Sequence, residues 1–137
     1  MANPMLTWPD GIKRTRQRVM VWAVLERARN PLSAVEICRR AGERGVTVWL
    51  STVYRVLELF IKQGLVVKVV VLENGMALYE TNRTPHRHYA ICVSCRKVIP
   101  VAACPLEQFQ SQLAEKDFQI TDHSLEIFGY CRDCASR

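Results

Sequence analysis

Two Cys-x-x-Cys pairs, Cys92/Cys95 and Cys131/Cys134, are separated by residues 96–130. Four thiolates in two short clips are the donor set of a closed tetrahedral zinc site, in which no position is left for chemistry. One such pair is ambiguous between redox and metal roles. Two in a chain of 137 residues favour structural zinc over a thioredoxin-like pair or ordinary buried cysteines. A fold that must bring residue 92 beside residue 131 is tightly constrained, and small domains lean on such metals for stability.

The segment ahead of the clips reads differently. Val21, Val24, Leu25 and Ala28 recur at helical spacing on a first helix that stops before Asn30-Pro31. Ser33 is placed to cap a second helix whose stripe is Ala34, Ile37, Cys38 and Ala41, with Gly45 beyond its end. A third helix is expected to begin after Ser51 or Thr52, with Val53, Val56, Leu57 and Phe60 inward and Gly64 as its stop. The β-branched run Leu65–Leu72, the turn signal Glu73-Asn74-Gly75 and Met76–Glu80 make a hairpin. Three helices and a hairpin are the pattern of a winged helix-turn-helix, whose third helix enters a major groove.

After a polar linker at Asn82–Pro85 the expectation is short strands at His88–Cys92 and Lys97–Val101. A helix opened by Cys104-Pro105, with Leu106, Phe109 and Leu113 on one stripe, and a strand over Phe118–Tyr130 follow. The whole is an α+β chain, with a winged-helix DNA-binding domain over residues 1–82 and a small α/β domain with a structural zinc over residues 83–137.

Charge supports a nucleic-acid partner for the first part. The net charge is +6, and Lys13, Arg14, Arg16 and Arg18 begin a series of cations concentrated in the first half. Tyr54 and Arg55 lie off the apolar stripe of the third helix, where an arginine reaches guanine or phosphate and a tyrosine a thymine methyl. A solvated arginine and a half-buried tyrosine are the plain alternative. No apolar run approaches the roughly 18 residues of a membrane span, and residues 1–10 lack the apolar core of a secretory signal. A cytosolic protein with reduced thiols is expected.

The three histidines all fall in the second part. His86 and His88 alternate along a strand, so both leave on one face. His123 is read on a strand face with Leu125 and Ile127, and Glu107 stands in the first turn of its helix. Singly, these residues read as a capping glutamate, a core histidine and surface histidines. Together, three imidazoles and a carboxylate make a coherent set for a borderline divalent metal.

Thr15-x-x-Arg18, Ser51-Thr-Val-Tyr-Arg-Val-Leu57, His86-x-His88 ahead of the first clip and His123 ahead of the second occur in that order. With this order of motifs the chain resembles the ferric uptake regulator family over roughly residues 11–134, with the zinc uptake regulators as one possible branch. The resemblance implies a homodimeric, metal-responsive DNA-binding regulator, commonly a repressor of metal-uptake or metal-homeostasis genes, and no enzyme. Its C-terminal domain would be the dimerisation domain, and its operator double-stranded and near-palindromic. It implies DNA contacts from Tyr54 and Arg55 and supports them for Arg18, Ser51 and Thr52 of the same motifs, while Lys13 and Arg14, read as a flexible stretch ahead of the first helix, are placed to enter a narrow minor groove. It also implies a structural Zn²⁺ at the four cysteines and a regulatory metal at His86, His88, Glu107 and His123, with Zn²⁺ favoured over Fe²⁺ or Mn²⁺.

One departure stands out. At the positions where the family places histidines of an inter-domain metal site, this chain has Arg87 and Tyr89, leaving Glu80 as the remaining acid. Arginine cannot ligate a cation, so that site and the peroxide-sensing chemistry associated with it are not expected. Two other readings stay open: a thiol-based redox-sensing regulator, for which Cys104 at a helix N-terminus is the candidate thiol, and a constitutive DNA-binding module with only structural zinc.

Overall fold

A computed structural model describes residues 8–72, 74–82 and 87–136. His86, Glu73 and residues 83–85 lie outside the described residues. The chain forms two compact units, Met1–Arg83 and Thr84–Arg137. Among the described residues no helix is long and apolar enough to cross a membrane.

The first unit follows its caps. Thr15 Oγ1 accepts the N–H of Arg18 at 3.2 Å and starts α1, Arg16–Arg27. Ser33 Oγ accepts from the N–H of Glu36 at 3.1 Å and starts α2, Ala34–Glu43. Helix α3 spans Leu50–Lys62, so Ser51 and Thr52 stand inside its first turn and do not cap it. Trp49 occupies the cap position without a side-chain bond, and the first helical bond runs from Val53 N–H to its carbonyl at 2.9 Å. Gly64, at φ +75°, turns the chain out of α3 in a conformation that a Cβ would strain.

Strands β1, Val66–Val71, and β2, Ala77–Thr81, form the antiparallel wing, with an irregularity between Lys68 and Val70. The amide and carbonyl of Leu32 exchange 2.8 Å bonds with those of Tyr79, tying the α1–α2 connection to the wing. Inside, Val21, Leu25, Ile37, Val53, Leu57, Phe60 and Val66 are essentially solvent-free. Trp8 and Trp22 meet Phe60 edge-on at 6.4 and 5.4 Å between ring centroids. Cys38 packs against this core, as its place on the α2 stripe predicts, and burial pushes its thiol pKa up.

The second unit has a three-stranded sheet in the order β4-β3-β5. Strand β3, His88–Cys92, pairs antiparallel with β4, Val98–Val101, and parallel with β5, Ile127–Gly129. Helix α4 spans Glu107–Ala114 and α5 spans Arg132–Ala135. Two expectations are corrected. Regular strand within Phe118–Tyr130 is confined to residues 127–129, so His123 lies ahead of β5 and outside any strand. Pro105 is not the first residue of α4. It belongs to a preceding turn in which Gln108 N–H bonds to its carbonyl at 3.1 Å.

All three tryptophans lie in the first unit, so their fluorescence follows its unfolding alone. Phe60→Ala is expected to lower the stability of that unit by about 3–5 kcal/mol in urea titrations, because it leaves a cavity under two indoles. A loss under about 1 kcal/mol would show that this ring is not central to the packing.

Candidate metal centres and DNA-reading surface

The parallel register of β5 on β3 sets Cys92 opposite Gly129 and delivers Cys131, two residues on, to the first clip. Cys92 closes β3, and the clip turns back through Arg96, whose N–H bonds to Cys92 carbonyl at 2.9 Å. Arg96 adopts φ +64°, the left-handed conformation in which glycine is at ease. Cys131 and Cys134 flank the start of α5, where Ala135 N–H returns to the Cys131 carbonyl at 2.8 Å.

The four sulfurs lie within 4.8 Å of one another, with Cys95 Sγ and Cys131 Sγ 3.7 Å apart. A tetrahedron with Zn–S near 2.3 Å has edges of about 3.8 Å, so the set fits zinc. Proton affinities are divided within it. The backbone N–H groups of Cys131 and Cys95 hold the Cys92 thiol down to about 6. Cys134 is pushed up to about 12: the Ser94 hydroxyl lowers it, but the Cys131 thiol, burial and the other two thiols outweigh that. Crowded thiols resist ionising together, and a divalent cation removes that resistance.

A second cluster forms at the other end of β3. His88 opens the strand, is buried, and pairs with Val101 at the close of β4. The chain leaving Val101 therefore passes His88 and places Cys104 against it. His88 Nε2 is 3.2 Å from Cys104 Sγ and 3.1 Å from His123 Nε2, and Cys104 Sγ is 3.3 Å from His123 Nε2. Two imidazoles and a thiol thus converge on one point. Of the regulatory set expected from sequence, the structure brings together His88 and His123. Glu107 is exposed in the first turn of α4 and is not part of this cluster, and His86 lies outside the described residues.

Cys104 precedes α4 by three residues, so it is not at the helix N-terminus where sequence placed it. Its approach to two histidines was not legible from spacing, because it depends on the β3–β4 register. Arg87 is exposed, Tyr89 is buried beside His88, and Glu80 is buried on β2 of the other unit.

On α3, Ser51, Tyr54 and Arg55 are exposed and Thr52 is half-buried, opposite the buried Val53, Val56, Leu57 and Phe60. Trp49, 75% exposed, and Leu50 extend this surface at the helix start. Sequence reading missed Trp49, since it precedes the periodic stripe and carries no charge. Lys13 and Arg14 are exposed but are not a loose arm. Arg18 Nη1 donates to the Lys13 carbonyl at 2.9 Å, the Trp8 indole donates to the Ile12 carbonyl at 2.8 Å, and the Arg14 guanidinium stands over the Trp8 ring at 6.0 Å. Arg39 and Arg40 of α2 are engaged by Glu36, whose carboxyl the Arg39 guanidinium holds down to about 2.

The ferric uptake regulator family profile matches residues 9–128. The chain is 38% identical over 126 residues to the ferric uptake regulation protein of Legionella pneumophila, covering 90% of this chain and 92% of that protein. The structure of the ferric uptake regulator from Francisella tularensis with iron superposes at a TM-score of 0.80 and 28% identity, over 93% of this chain and 98% of that one. FurB from M. tuberculosis, a zinc uptake regulator, superposes at a TM-score of 0.52 and 33% identity, over 87% and 92%. The chain belongs to the ferric uptake regulator family of metal-responsive, DNA-binding transcription regulators, and it is not an enzyme.

Proposed function

We propose that this chain is a cytoplasmic, homodimeric repressor of metal-uptake or metal-homeostasis genes that binds a near-palindromic operator when its second metal site is filled. The observation that carries this reading is two different donor clusters at opposite ends of one short strand, β3. The four thiols use every vertex of a tetrahedron and suit a permanent Zn²⁺. Among the described residues the histidine-bearing cluster brings together two imidazoles and a thiol, a mixed donor set that suits an exchangeable ion. Family relatives associated with iron and with zinc share this fold, so the fold alone does not select the metal. The nitrogen-rich donors favour Zn²⁺, with Fe²⁺ and Mn²⁺ as the competitors.

The second unit supports a dimer. Phe109, Phe118, Phe128 and Tyr130 are all exposed within it, a large apolar surface for a stretch that buries few side chains. Two-fold pairing through it would set two α3 helices at a fixed spacing, which is how a palindrome is read. Metal binding then needs only about 1–3 kcal/mol of coupling to move operator occupancy.

Cys95→Ser is expected to lose the chelator-resistant zinc, one ion per chain, and to dissociate the dimer in sedimentation, while tryptophan fluorescence still shows a folded first unit. Retention of that zinc would remove the four-thiolate assignment. For DNA, the probe is a duplex selected by the metal-loaded protein from a random pool. Arg55→Ala is expected to weaken its binding by about 1–3 kcal/mol at fixed salt, without a change in fold. Unchanged affinity would take α3 out of the interface. His123→Ala is expected to bind the duplex equally weakly with and without added Zn²⁺, Fe²⁺ or Mn²⁺. A wild-type metal response in that variant would show that the histidine cluster is not the sensor.

A further inference from the structure

We infer that Cys104 is a ligand of the exchangeable metal, so that among the described residues the ion is held by two imidazoles and a thiolate, His88, His123 and Cys104, with Glu107 outside its coordination. The inference rests on the proposed second metal site and specifies its donors.

Geometry is the first support. Zn–N near 2.0–2.1 Å and Zn–S near 2.3 Å require tetrahedral edges of about 3.3–3.4 Å between nitrogens and about 3.5–3.6 Å between nitrogen and sulfur. The observed separations are 3.1 Å between the two Nε2 atoms and 3.2 and 3.3 Å from them to Sγ. Each edge is within about 0.4 Å of its coordination value, and all three are short in the same sense.

Chain path is the second. Register holds Val101 opposite His88, and only Ala102 and Ala103 separate Val101 from Cys104, so the thiol is delivered to the imidazole by the sheet itself. Glu107 is delivered elsewhere. Glu107 opens α4 and is exposed, and it is not among the three residues whose donor atoms converge. The exposed carboxylate serves the helix instead, as an acid in its first turn.

The exchange of carboxylate for thiolate changes what the site selects. Both are anionic, so the net charge with a divalent ion is the same. Sulfur is the softer donor, which favours Zn²⁺, Co²⁺ or Cu⁺ and disfavours Mn²⁺. A regulator built on this set would report zinc-like metals.

Cobalt spectroscopy tests this directly. The full-length protein, with chelator-resistant zinc retained at the four-cysteine site, is titrated with Co²⁺ alone. Wild type is expected to develop a thiolate-to-cobalt charge-transfer band in the near ultraviolet together with visible bands of tetrahedral strength. Cys104→Ser should lose the charge-transfer band and bind Zn²⁺ at least about tenfold more weakly, since even outer-sphere partners of a metal site are worth that much. Glu107→Gln should keep the band and the affinity. The inference is overturned if Cys104→Ser keeps the charge-transfer band, or if Glu107→Gln loses Zn²⁺ affinity while Cys104→Ser does not. Failure of wild type to take up any Co²⁺ beyond the zinc already held would instead remove the second site itself. Circular dichroism of each variant separates lost ligation from lost fold.

Discussion

The junction of β3 with β5 carries most of the organisation of the second unit, and it is short. Three residues, Ile127–Gly129, lie parallel to Ala90–Cys92. Parallel pairing between such short strands normally needs a covered sheet on both faces. Here Ile99, Ile127 and Phe128 of the sheet are exposed, and among the described residues of this unit the buried set is His88, Tyr89, Ile91, Cys92 and Cys131. So small a buried set is a weak counterweight to the backbone entropy lost on ordering the unit. In the proposed reading a tetrathiolate zinc would act at the point where β3, β5 and α5 meet, where the four cysteines converge. In the proposed reading the partner subunit covers the exposed aromatics and supplies what remains.

The first unit solves the opposite problem. Its core is continuous, and Phe60 joins α3 to α1 and to the entry segment through Trp22 and Trp8. That packing leaves α3 one orientation: Val53, Val56 and Leu57 inward, Tyr54 and Arg55 outward. The same indole that contacts Phe60 also stands beneath Arg14, so the cations ahead of α1 are positioned by the core and not left on a free arm. Reading surface and core are two faces of one arrangement.

Local signals were legible where one residue decides one structure. Thr15 and Ser33 cap the helices they precede, and Gly64 and Gly75 take the positive φ that their turns require. The cysteine clips announced a common site because their spacing carries the chemistry. Legibility failed where placement depends on a distant partner. The start of α3 was misplaced because Ser51 and Thr52 have the chemistry of caps, while the helix begins ahead of them with no side-chain cap. Residues 118–126 alternate like a strand, yet among the described residues none of them joins the sheet, and alternation alone cannot supply a neighbour to bond. Glu107 entered the expected metal set through the family resemblance, whereas the approach of Cys104 to His88 depends on the β3–β4 register, which no local spacing reveals.

The replacement of histidines by Arg87 and Tyr89 narrows how a metal could act on DNA. A ligand shifts an equilibrium only by its differential affinity for the two states. With no imidazole at those positions, an ion bridging the two units in the family's usual manner has lost two of its donors, and a guanidinium there repels a cation. The proposed ion must therefore distinguish conformations of the second unit. His88 begins β3, Cys104 lies midway in the β4–α4 connection and His123 precedes β5, so one ion would fix three segments of the unit. His88 is also the first residue of the second unit's sheet. On this view the metal acts by ordering chain, and its effect on operator binding is set by how much freedom those segments retain without it.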